Sequence, residues 1–373
     1  QRIPQATSLD DPVVGNTFWP IQDLALQTAG GRVGHQFSFA QNVPWPEKRA
    51  ARGVIAQREA LAAIAEVTKA EREIVESVRL AYYQLWLADR VIEIVEANRD
   101  LVQDLVEVAE ARFRTGGSQQ DVLQAETESD KLQDQLISLR RQKEEARADL
   151  GTLVRQPSHL LPDATESLET SEALPDLELL IAVAERSSPS LQGLAAEIAR
   201  DRAKQTLACL QQYPDFQLGL GYSIVADDRS VLSPVADGHD NINFSIGVTL
   251  PVWRAKINGG IREAAHQRSS TIHLREAERD RIRGEIRRLV AAVDAASEQL
   301  ELFEERLIPR MERSLEIATI DYQGKKAEFS EVIATYQELL NYQIQVARGR
   351  ATLASTLARI ERTVGLDAVS AAR

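Results

Sequence analysis

The sequence predicts a mainly α-helical protein with a small β part, organised as a tandem repeat of a β-hairpin followed by very long antiparallel helices. The first supporting observation is self-similarity, because residues 37–39 (Phe-Ser-Phe) match residues 244–246 (Phe-Ser-Ile) at an offset of 207 positions. The second is a run of 62 residues, 54–115, that contains no glycine or proline and is rich in helix-forming residues. The third is a pair of runs of about ten residues in which apolar and small polar residues alternate, as in β-strands.

The first repeat is predicted over residues 1–155. Two strands are expected at about 13–21 and 35–43, followed by the long helix 54–115 and a return helix over 118–150. At about 1.5 Å per residue, the long helix spans roughly 93 Å. Its apolar residues form two adjacent lines, which suit either packing on neighbours at both sides or one wide stripe facing a bundle core.

The second repeat is predicted over residues 190–373, with the same elements in the same order. They are a helix over 190–212, strands over 215–224 and 242–252, a long helix over 261–322 and a return helix over 331–364. Gly284 and Pro309 lie inside the second long helix, where we therefore expect a kink.

Residues 156–189 are interpreted as an equatorial linker between the repeats. The return helix before them and the helix 190–212 after them nearly equal the long helix in length when laid end to end. The second repeat has about 40 residues ahead of its first strand, whereas only eleven residues precede Pro12. We therefore expect the first repeat to be N-terminally incomplete, so that the chain lacks its natural N-terminus with any signal peptide and lipidation cysteine.

The strands 215–224 and 242–252 carry one apolar face and one face of small polar residues. Both are long enough to cross a bilayer as tilted strands. A soluble hairpin with one face against a core is the alternative interpretation. Four strands leave open edges, so a chain that enters lipid has to associate with copies of itself. Three copies supply twelve strands and a matching ring of helices.

Composition and motifs argue against several classes of function. The chain has 44 Lys and Arg against 56 Asp and Glu, a formal charge of −12, which argues against a nucleic-acid partner. One cysteine, Cys209, excludes an intrachain disulfide framework, and the five histidines lack the spacing of metal ligands. No motif of a hydrolase, a P-loop protein or a zinc protease is present, so we predict no catalytic residues, no metal and no cofactor, and no enzyme activity.

Two junctions between strand and helix carry a family resemblance. They are residues 41–49 (Gln-Asn-Val-Pro-Trp-Pro-Glu-Lys-Arg) and 249–253 (Thr-Leu-Pro-Val-Trp). With the two turn segments Arg112–Ala125 and Tyr322–Ala334, they resemble the TolC-type outer-membrane efflux channels, the outer membrane factors of tripartite efflux pumps. The resemblance covers Pro12 to Leu366 in the duplicated order of that family. The first junction is most similar to the heavy-metal efflux branch.

The resemblance implies a homotrimer in which a twelve-stranded β-barrel in outer-membrane lipid continues as a twelve-helix α-barrel through the periplasm. It also implies a passive export conduit. Its partners would be a periplasmic adaptor (membrane fusion) protein and an inner-membrane transporter of the resistance–nodulation–division type. The rival interpretation of the same helices is a soluble antiparallel coiled-coil scaffold.

The resemblance further implies a periplasmic gate at the two helix turns. Asp121 falls on the gate aspartate of the family once one residue is deleted ahead of it, and Tyr322 falls on the gate tyrosine. The gate arginine does not align, because Ala327 stands at its position, and Lys325 and Lys326 just before it are the candidates to supply the charge. Asp121 suits the N-terminal cap of the return helix equally well.

The gate is expected to include Gln120 beside the aspartate. The turn residues expected to contact the adaptor protein are Gly116, Gly117, Ser118, Gly324 and Glu331. Four apolar residues near the turns, Val122, Leu123, Val332 and Ile333, are interpreted as packing residues.

Overall fold

The protein is described by a computed structural model that covers residues 2–20, 27–28, 31–164, 168, 175–226 and 239–365. These residues form two compact units. The first unit contains Gln1–Glu66 and Ser190–Ala277, and the second contains Val67–Pro189 and Glu278–Arg373. The predicted loop between the second pair of strands lies largely outside the described residues.

Helices make up most of the described chain. They are α1 (Arg2–Thr7), α2 (Pro46–Arg114), α3 (Gln119–Val154), α4 (Leu177–Ser187), α5 (Pro189–Leu210), α6 (Arg254–Glu301), α7 (Ile308–Gln323) and α8 (Phe329–Val364). A short 3₁₀ turn, Ser158–Leu160, follows α3, and a π-helical segment, Leu302–Leu307, joins α6 to α7. The protein is thus mostly helical, as the sequence predicts.

A small antiparallel sheet lies in the first unit. Its strands are β1 (Val13–Phe18), β2 (Gln27–Thr28), β3 (Gly31–Val43), β4 (Asp215–Ala226) and β5 (Asn241–Thr249). The order across the sheet is β1-β3-β4-β5, with β2 paired to β3. Each of the three pairings along that order is antiparallel, so β1 and β5 form the two outer edges.

The two faces of the sheet differ in polarity because the pairing brings like residues side by side. Phe39, Leu220 and Phe244 lie opposite one another across three strands, and Ala40, Gly219 and Ser245 form the next row. One face therefore carries large apolar side chains that are exposed: Val14, Phe18, Phe37, Phe39, Leu218, Leu220, Tyr222, Ile224, Ile242, Phe244, Ile246 and Val248. The opposite face carries small and polar residues, among them Gly219, Ser245 and Gln217.

Both long helices begin earlier than predicted, because the sequence prediction placed each start directly after a glycine. Helix α2 begins at Pro46 instead of residue 54, with proline in the first turn, where its missing N–H costs nothing. Gly53 lies inside α2, and glycine suits this position because a Cβ would approach Thr7 of α1 to 2.7 Å. Likewise, α6 begins at Arg254 instead of residue 261 and runs through Gly259 and Gly260.

The other predicted bounds differ from the observed ones by a few residues. The first strand ends at Phe18 instead of residue 21, and β3 begins at Gly31 instead of residue 35. The return helix α3 continues beyond Gly151 to Val154, where Arg155 caps it with a positive φ of 55°. Strand β5 ends at Thr249, since proline cannot donate a hydrogen bond to a sheet ladder. The division of the chain into two repeats with an equatorial linker stays a prediction.

The second long helix is interrupted beside Pro309 but not at Gly284. Helix α6 passes through Gly284 without a break, and the π-helical segment lies immediately before α7, which has proline in its first turn. Proline lacks an N–H and its ring clashes with the carbonyl four residues earlier, here that of Glu305 in the π-helical segment. Of the two expected kink positions, only the proline therefore perturbs the helix.

The second unit has an extended apolar core formed by α2, α3, α7 and α8. Its most buried members include Val95, Val102, Leu136, Val332 and Tyr336. Among the described residues, no helix combines the length and the apolar character needed to cross a bilayer.

Candidate functional site

The first helix turn is built by capping interactions at the end of α2 and the start of α3. The N–H of Gly117 donates to the carbonyl of Arg112 at 2.9 Å, and Gly116 adopts a φ of +96°, which favours glycine. The Ser118 hydroxyl then caps α3 by accepting from the N–H of Gln120 at 3.1 Å. The cap is therefore Ser118, and Asp121 lies in the first turn of α3, its carboxylate free for another contact.

The second helix turn joins α7 to α8. The N–H of Gly324 donates to the carbonyl of Ile320 at 2.9 Å, and that of Lys326 donates to the carbonyl of Asp321 at 2.8 Å. Lys325 has a positive φ of 63°, and Glu328 precedes the first residue of α8. This turn directs the end of α7 so that Tyr322 points into the second unit, where it is only 1% exposed.

Tyr322 connects the two turns. Its hydroxyl donates to Oδ2 of Asp121 at 2.8 Å. The guanidinium carbon of Arg112 lies 3.9 Å from the centre of the Tyr322 ring, within the range of a cation–π interaction. The ring also contacts Phe329, with 5.1 Å between the ring centres. One aromatic side chain thus holds the ends of α2, α3, α7 and α8 together.

The environment of Tyr322 keeps its hydroxyl protonated. Burial, together with the hydrogen bond to Asp121 and the negative charge of that carboxylate, raises the pKa of Tyr322 to about 12. The positive charge of Arg112 opposes this increase only in part. Tyr322 therefore remains a hydrogen-bond donor throughout the physiological pH range.

The structure brings together some of the predicted gate residues. Asp121 and Tyr322 are in direct contact. Lys325 and Lys326 are exposed and form no ion pair within the described part of the chain, and Gln120 is exposed at the start of α3. Neither lysine therefore supplies the positive charge beside the Asp121–Tyr322 pair.

That positive charge comes from Arg112, which sequence reasoning identified only as the start of the first turn segment. Its side chain is half-buried, and its Nε atom is buried with no hydrogen-bond partner among the described residues. The sequence feature that could have identified Arg112 is its position in the last turn of α2, directly before the turn that leads to Asp121. The contact itself depends on how α2 packs against α7, which residue spacing does not specify.

The remaining turn residues and the neighbouring apolar residues differ in how far they are exposed. Gly116, Ser118, Gly324 and Glu331 are exposed, and Gly117 is half-buried. Val332 and Ile333 are buried in the core of the second unit, whereas Leu123 is exposed. Within the residues that the structure describes, no cluster of three or more His, Cys, Asp or Glu side chains could hold a metal ion.

The fold is that of outer-membrane channels. VceC, an outer membrane protein from Vibrio cholerae, gives a TM-score of 0.80 at 20% identity over 98% of this chain and 88% of that chain. The CmeC outer membrane channel from Campylobacter jejuni gives 0.77 at 14% identity, covering 97% of this chain and 79% of that chain. The open state of the MtrE outer membrane channel from Neisseria gonorrhoeae gives 0.74 at 13% identity, covering 97% and 82% respectively. No curated protein shows significant sequence similarity to the chain.

A family model described as outer membrane efflux protein matches residues 31–154 and 180–366. The chain belongs to the outer membrane efflux protein family. The predicted resemblance is confirmed, and the chain is an outer-membrane channel subunit of efflux systems. The soluble coiled-coil scaffold is not favoured.

Proposed function

We propose that three copies of the chain close into one tube and act as a passive conduit for export. If each copy contributed the four strands β1, β3, β4 and β5, three copies would make a twelve-stranded barrel in the outer membrane. The helices would continue it as a twelve-helix tunnel through the periplasm. The chain itself would perform no chemistry, in keeping with a family of transport conduits.

The observation that carries this proposal is the exposed apolar face of the sheet. Phe244, for example, is 82% exposed and Ile246 is 75% exposed, and both belong to a continuous apolar surface across four strands. An apolar surface of this extent is costly in water and favourable in lipid. The opposite face, made of small and polar residues, suits a water-filled interior.

We propose that the tube is gated at the two helix turns. The contacts of Tyr322 with Asp121 and Arg112 tie the turns together within one chain. Three Asp121 carboxylates around one axis would form a ring of negative charge that favours cations over anions. Docking of a periplasmic adaptor protein, at turns that include Gly116 and Gly324, would weaken these contacts and open the passage. An inner-membrane transporter of the resistance–nodulation–division type would load it.

The open state named for MtrE supports the idea that such channels exist in more than one state. The nature of the cargo is proposed only from the junction 41–49, which is similar to the heavy-metal efflux branch.

The gate is tested by single-channel conductance in planar bilayers. Asp121→Ala removes the acceptor of the Tyr322 hydroxyl and should raise the conductance of the closed channel. Asp134→Ala is the matched control, because Asp134 is an exposed aspartate on the same helix α3. Equal conductance of Asp121→Ala and the unaltered protein would contradict the gate, while the oligomeric state in detergent separately tests the three-copy assembly.

A further inference from the structure

The first unit contains two junctions between strand and helix with the same design. Trp45 is the residue immediately before α2, and Trp253 is the residue immediately before α6. In each helix the third residue is a lysine, Lys48 in α2 and Lys256 in α6. The same pair of residue types therefore occupies the same two helical positions at the ends of β3 and β5.

The junction at α2 is closed by an aspartate from the neighbouring strand. Lys48 is only 2% exposed, and its ammonium group donates to Oδ1 of Asp215 and to the carbonyl of Tyr213, both at 2.9 Å. The same Oδ1 atom accepts from the N–H of Trp45 at 2.9 Å. The Trp45 ring stacks on Tyr213 with 5.2 Å between the ring centres. Asp215 is the first residue of β4, the strand paired with β3.

The junction at α6 has the same residue types, but no aspartate covers them within the described residues. Trp253 is 77% exposed and Lys256 is exposed. Within the described residues Lys256 forms no ion pair. The reason is topological: β5 is an edge strand among the described strands, and none of them lies beside its free edge to provide the counterpart of Asp215.

The strand that fits this edge is β1 of a second copy. In the sheet, β1 and β4 run in the same direction because both are antiparallel to β3, while β5 is antiparallel to β4. A β1 strand placed on the free edge of β5 therefore continues the antiparallel alternation. It also begins at the end of the sheet where β5 leads into Trp253, just as β4 begins beside Trp45.

The chain segment before β1 carries the required charge. Pro12 precedes β1 as Pro214 precedes β4, which makes Val13 the positional counterpart of Asp215. Asp11 lies two residues before Val13, and residues two apart in an extended chain share one face. The backbone carbonyl of Asp10 accepts from the side-chain amide of Gln41 at 2.7 Å, which anchors this segment beside β3.

We propose that Lys256 of one copy pairs with Asp11 of the neighbouring copy, and that the segment before β1 of that copy covers Trp253. The interface would thereby reproduce, between chains, the joint that Lys48 and Asp215 form within the chain. This inference rests on the proposed assembly of identical copies. It adds the residues that fix the register and orientation of one copy against the next.

The first experiment is zero-length carbodiimide cross-linking of the full chain in detergent, with peptide mapping by mass spectrometry. This reagent joins a lysine amine to a carboxylate only when the two are in contact. Within one chain, β1 and β5 are three strand spacings apart, about 14 Å, so a link between Lys256 and Asp11 has to connect two copies. We expect that link, together with a covalent trimer on a denaturing gel.

The second experiment is a charge exchange. Lys256→Glu should lower the trimer's resistance to dissociation by about tenfold, as expected for a close interfacial charge pair. Adding Asp11→Lys should restore it. Arg262→Glu is the matched control, because Arg262 is an exposed cation on the same helix whose side chain, among the described residues, bonds to the carbonyl of Asn258. Circular dichroism should show the same helix content in all variants, since Lys256 has no ion-pair partner within the described chain.

The outcomes distinguish failure of the Lys256–Asp11 pair, called the joint here, from failure of the three-copy assembly. A trimer that yields no link between Lys256 and Asp11, and that Lys256→Glu weakens no more than Arg262→Glu does, would overturn the joint. The proposed conduit would then still stand, with lipid headgroups covering Trp253. A chain that stays monomeric in mild detergent would overturn the assembly and the joint together.

Discussion

At the scale of single residues, Tyr322 is the most consequential side chain of the second unit. It is buried, its hydroxyl bonds to Asp121, and its ring receives Arg112 on one face. A hydrogen bond to a charged acceptor contributes about 1.5–3 kcal/mol when both partners are well placed. The helix turns are therefore held by two interactions of different physical origin that share one residue.

Tyr322→Phe should separate these two interactions. The substitution removes the hydroxyl that reaches Asp121 but keeps the ring beneath Arg112. We expect a loss of about 1–3 kcal/mol in the free energy of unfolding and a higher closed-state conductance. Urea denaturation and bilayer recording measure the two effects. Tyr342→Phe, which removes an exposed hydroxyl bonded to Glu338 four residues away, is the control and should be close to neutral.

The raised pKa of Tyr322 leads to a second prediction. Since the folded-state pKa of about 12 lies above the ordinary value of 10.0, the protonated form favours folding. This stabilisation is fully present below about pH 10 and is lost as the pH rises towards 12. The stability advantage of the unaltered protein over Tyr322→Phe should thus be constant between pH 7 and 9 and smaller at pH 11. An advantage that grows above pH 10 would contradict this assignment.

Arg112→Met tests the cation on the ring. Methionine preserves most of the volume but removes the charge, so we expect a loss of about 0.5–2 kcal/mol in unfolding free energy and easier opening. Arg114→Met is the control, because Arg114 is exposed and its ion-pair partner among the described residues is Glu110 on the helix surface. Equal stability of the two variants would mean that the cation–π contact is not a significant interaction.

At the scale of elements, glycine has opposite consequences in the two long helices of the second unit. Gly349 of α8 allows a close approach to α6, because a Cβ there would come within 2.8 Å of Leu300. Gly284 of α6 has no atom nearer than 4.0 Å, that of Arg288. The same residue type is thus required at one position and dispensable at the other.

The matched substitutions should change stability in opposite directions. Gly349→Ala requires the Leu300 side chain or the two helices to shift and should cost about 1–3 kcal/mol of unfolding free energy. Gly284→Ala should add up to about 1 kcal/mol, since alanine has the higher helix propensity and meets open space. Thermal denaturation of the two variants in parallel measures both. If Gly349→Ala were as stable as Gly284→Ala, the packing of α6 on α8 would have to be looser than described.

The elements show what the sequence could and could not specify. Alternation of residues on β4 and β5 predicted both strands, and the run without glycine or proline predicted the long helix α2. The errors occurred at Gly53 and Gly260, which were taken as helix boundaries although helices accommodate them. The sequence also did not predict the π-helical segment. It is a local change of hydrogen bonding before Pro309, and hydrophobic periodicity carries no signal for it.

The residues of the candidate site were likewise predicted only in part. Asp121 and Tyr322 could be identified because they fall on the gate aspartate and the gate tyrosine of the family that the sequence resembles. Arg112 could not, because its contact with Tyr322 depends on the rotation of one helix against another and not on distance along the chain. Lys325 and Lys326, which precede the expected position of the gate arginine, were the candidates, yet both are exposed and form no ion pair among the described residues.

At the scale of the whole molecule, charge at the proposed gate should control which ions pass. Asp121→Asn keeps the size and a hydrogen-bond acceptor for Tyr322 but removes three negative charges from a trimer. We expect a lower ratio of cation to anion permeability, measured as a smaller reversal potential in a salt gradient. Gln120→Asn changes no charge and is the control. An unchanged reversal potential for Asp121→Asn would place the ion-selective constriction elsewhere.

The close packing between β4 and β5 limits how the width of the passage could be altered. A Cβ at Gly219 would come within 2.2 Å of the Ser245 hydroxyl, and one at Gly221 within 2.0 Å of the Asn243 amide oxygen. A larger residue at 219 or 221 therefore requires the Ser245 or Asn243 side chain to rotate away, or a smaller residue at position 245 or 243. Substitutions of these glycines are therefore coupled to β5: a mutational library should accept larger residues at 219 and 221 more readily once Ser245 and Asn243 have been replaced by smaller ones.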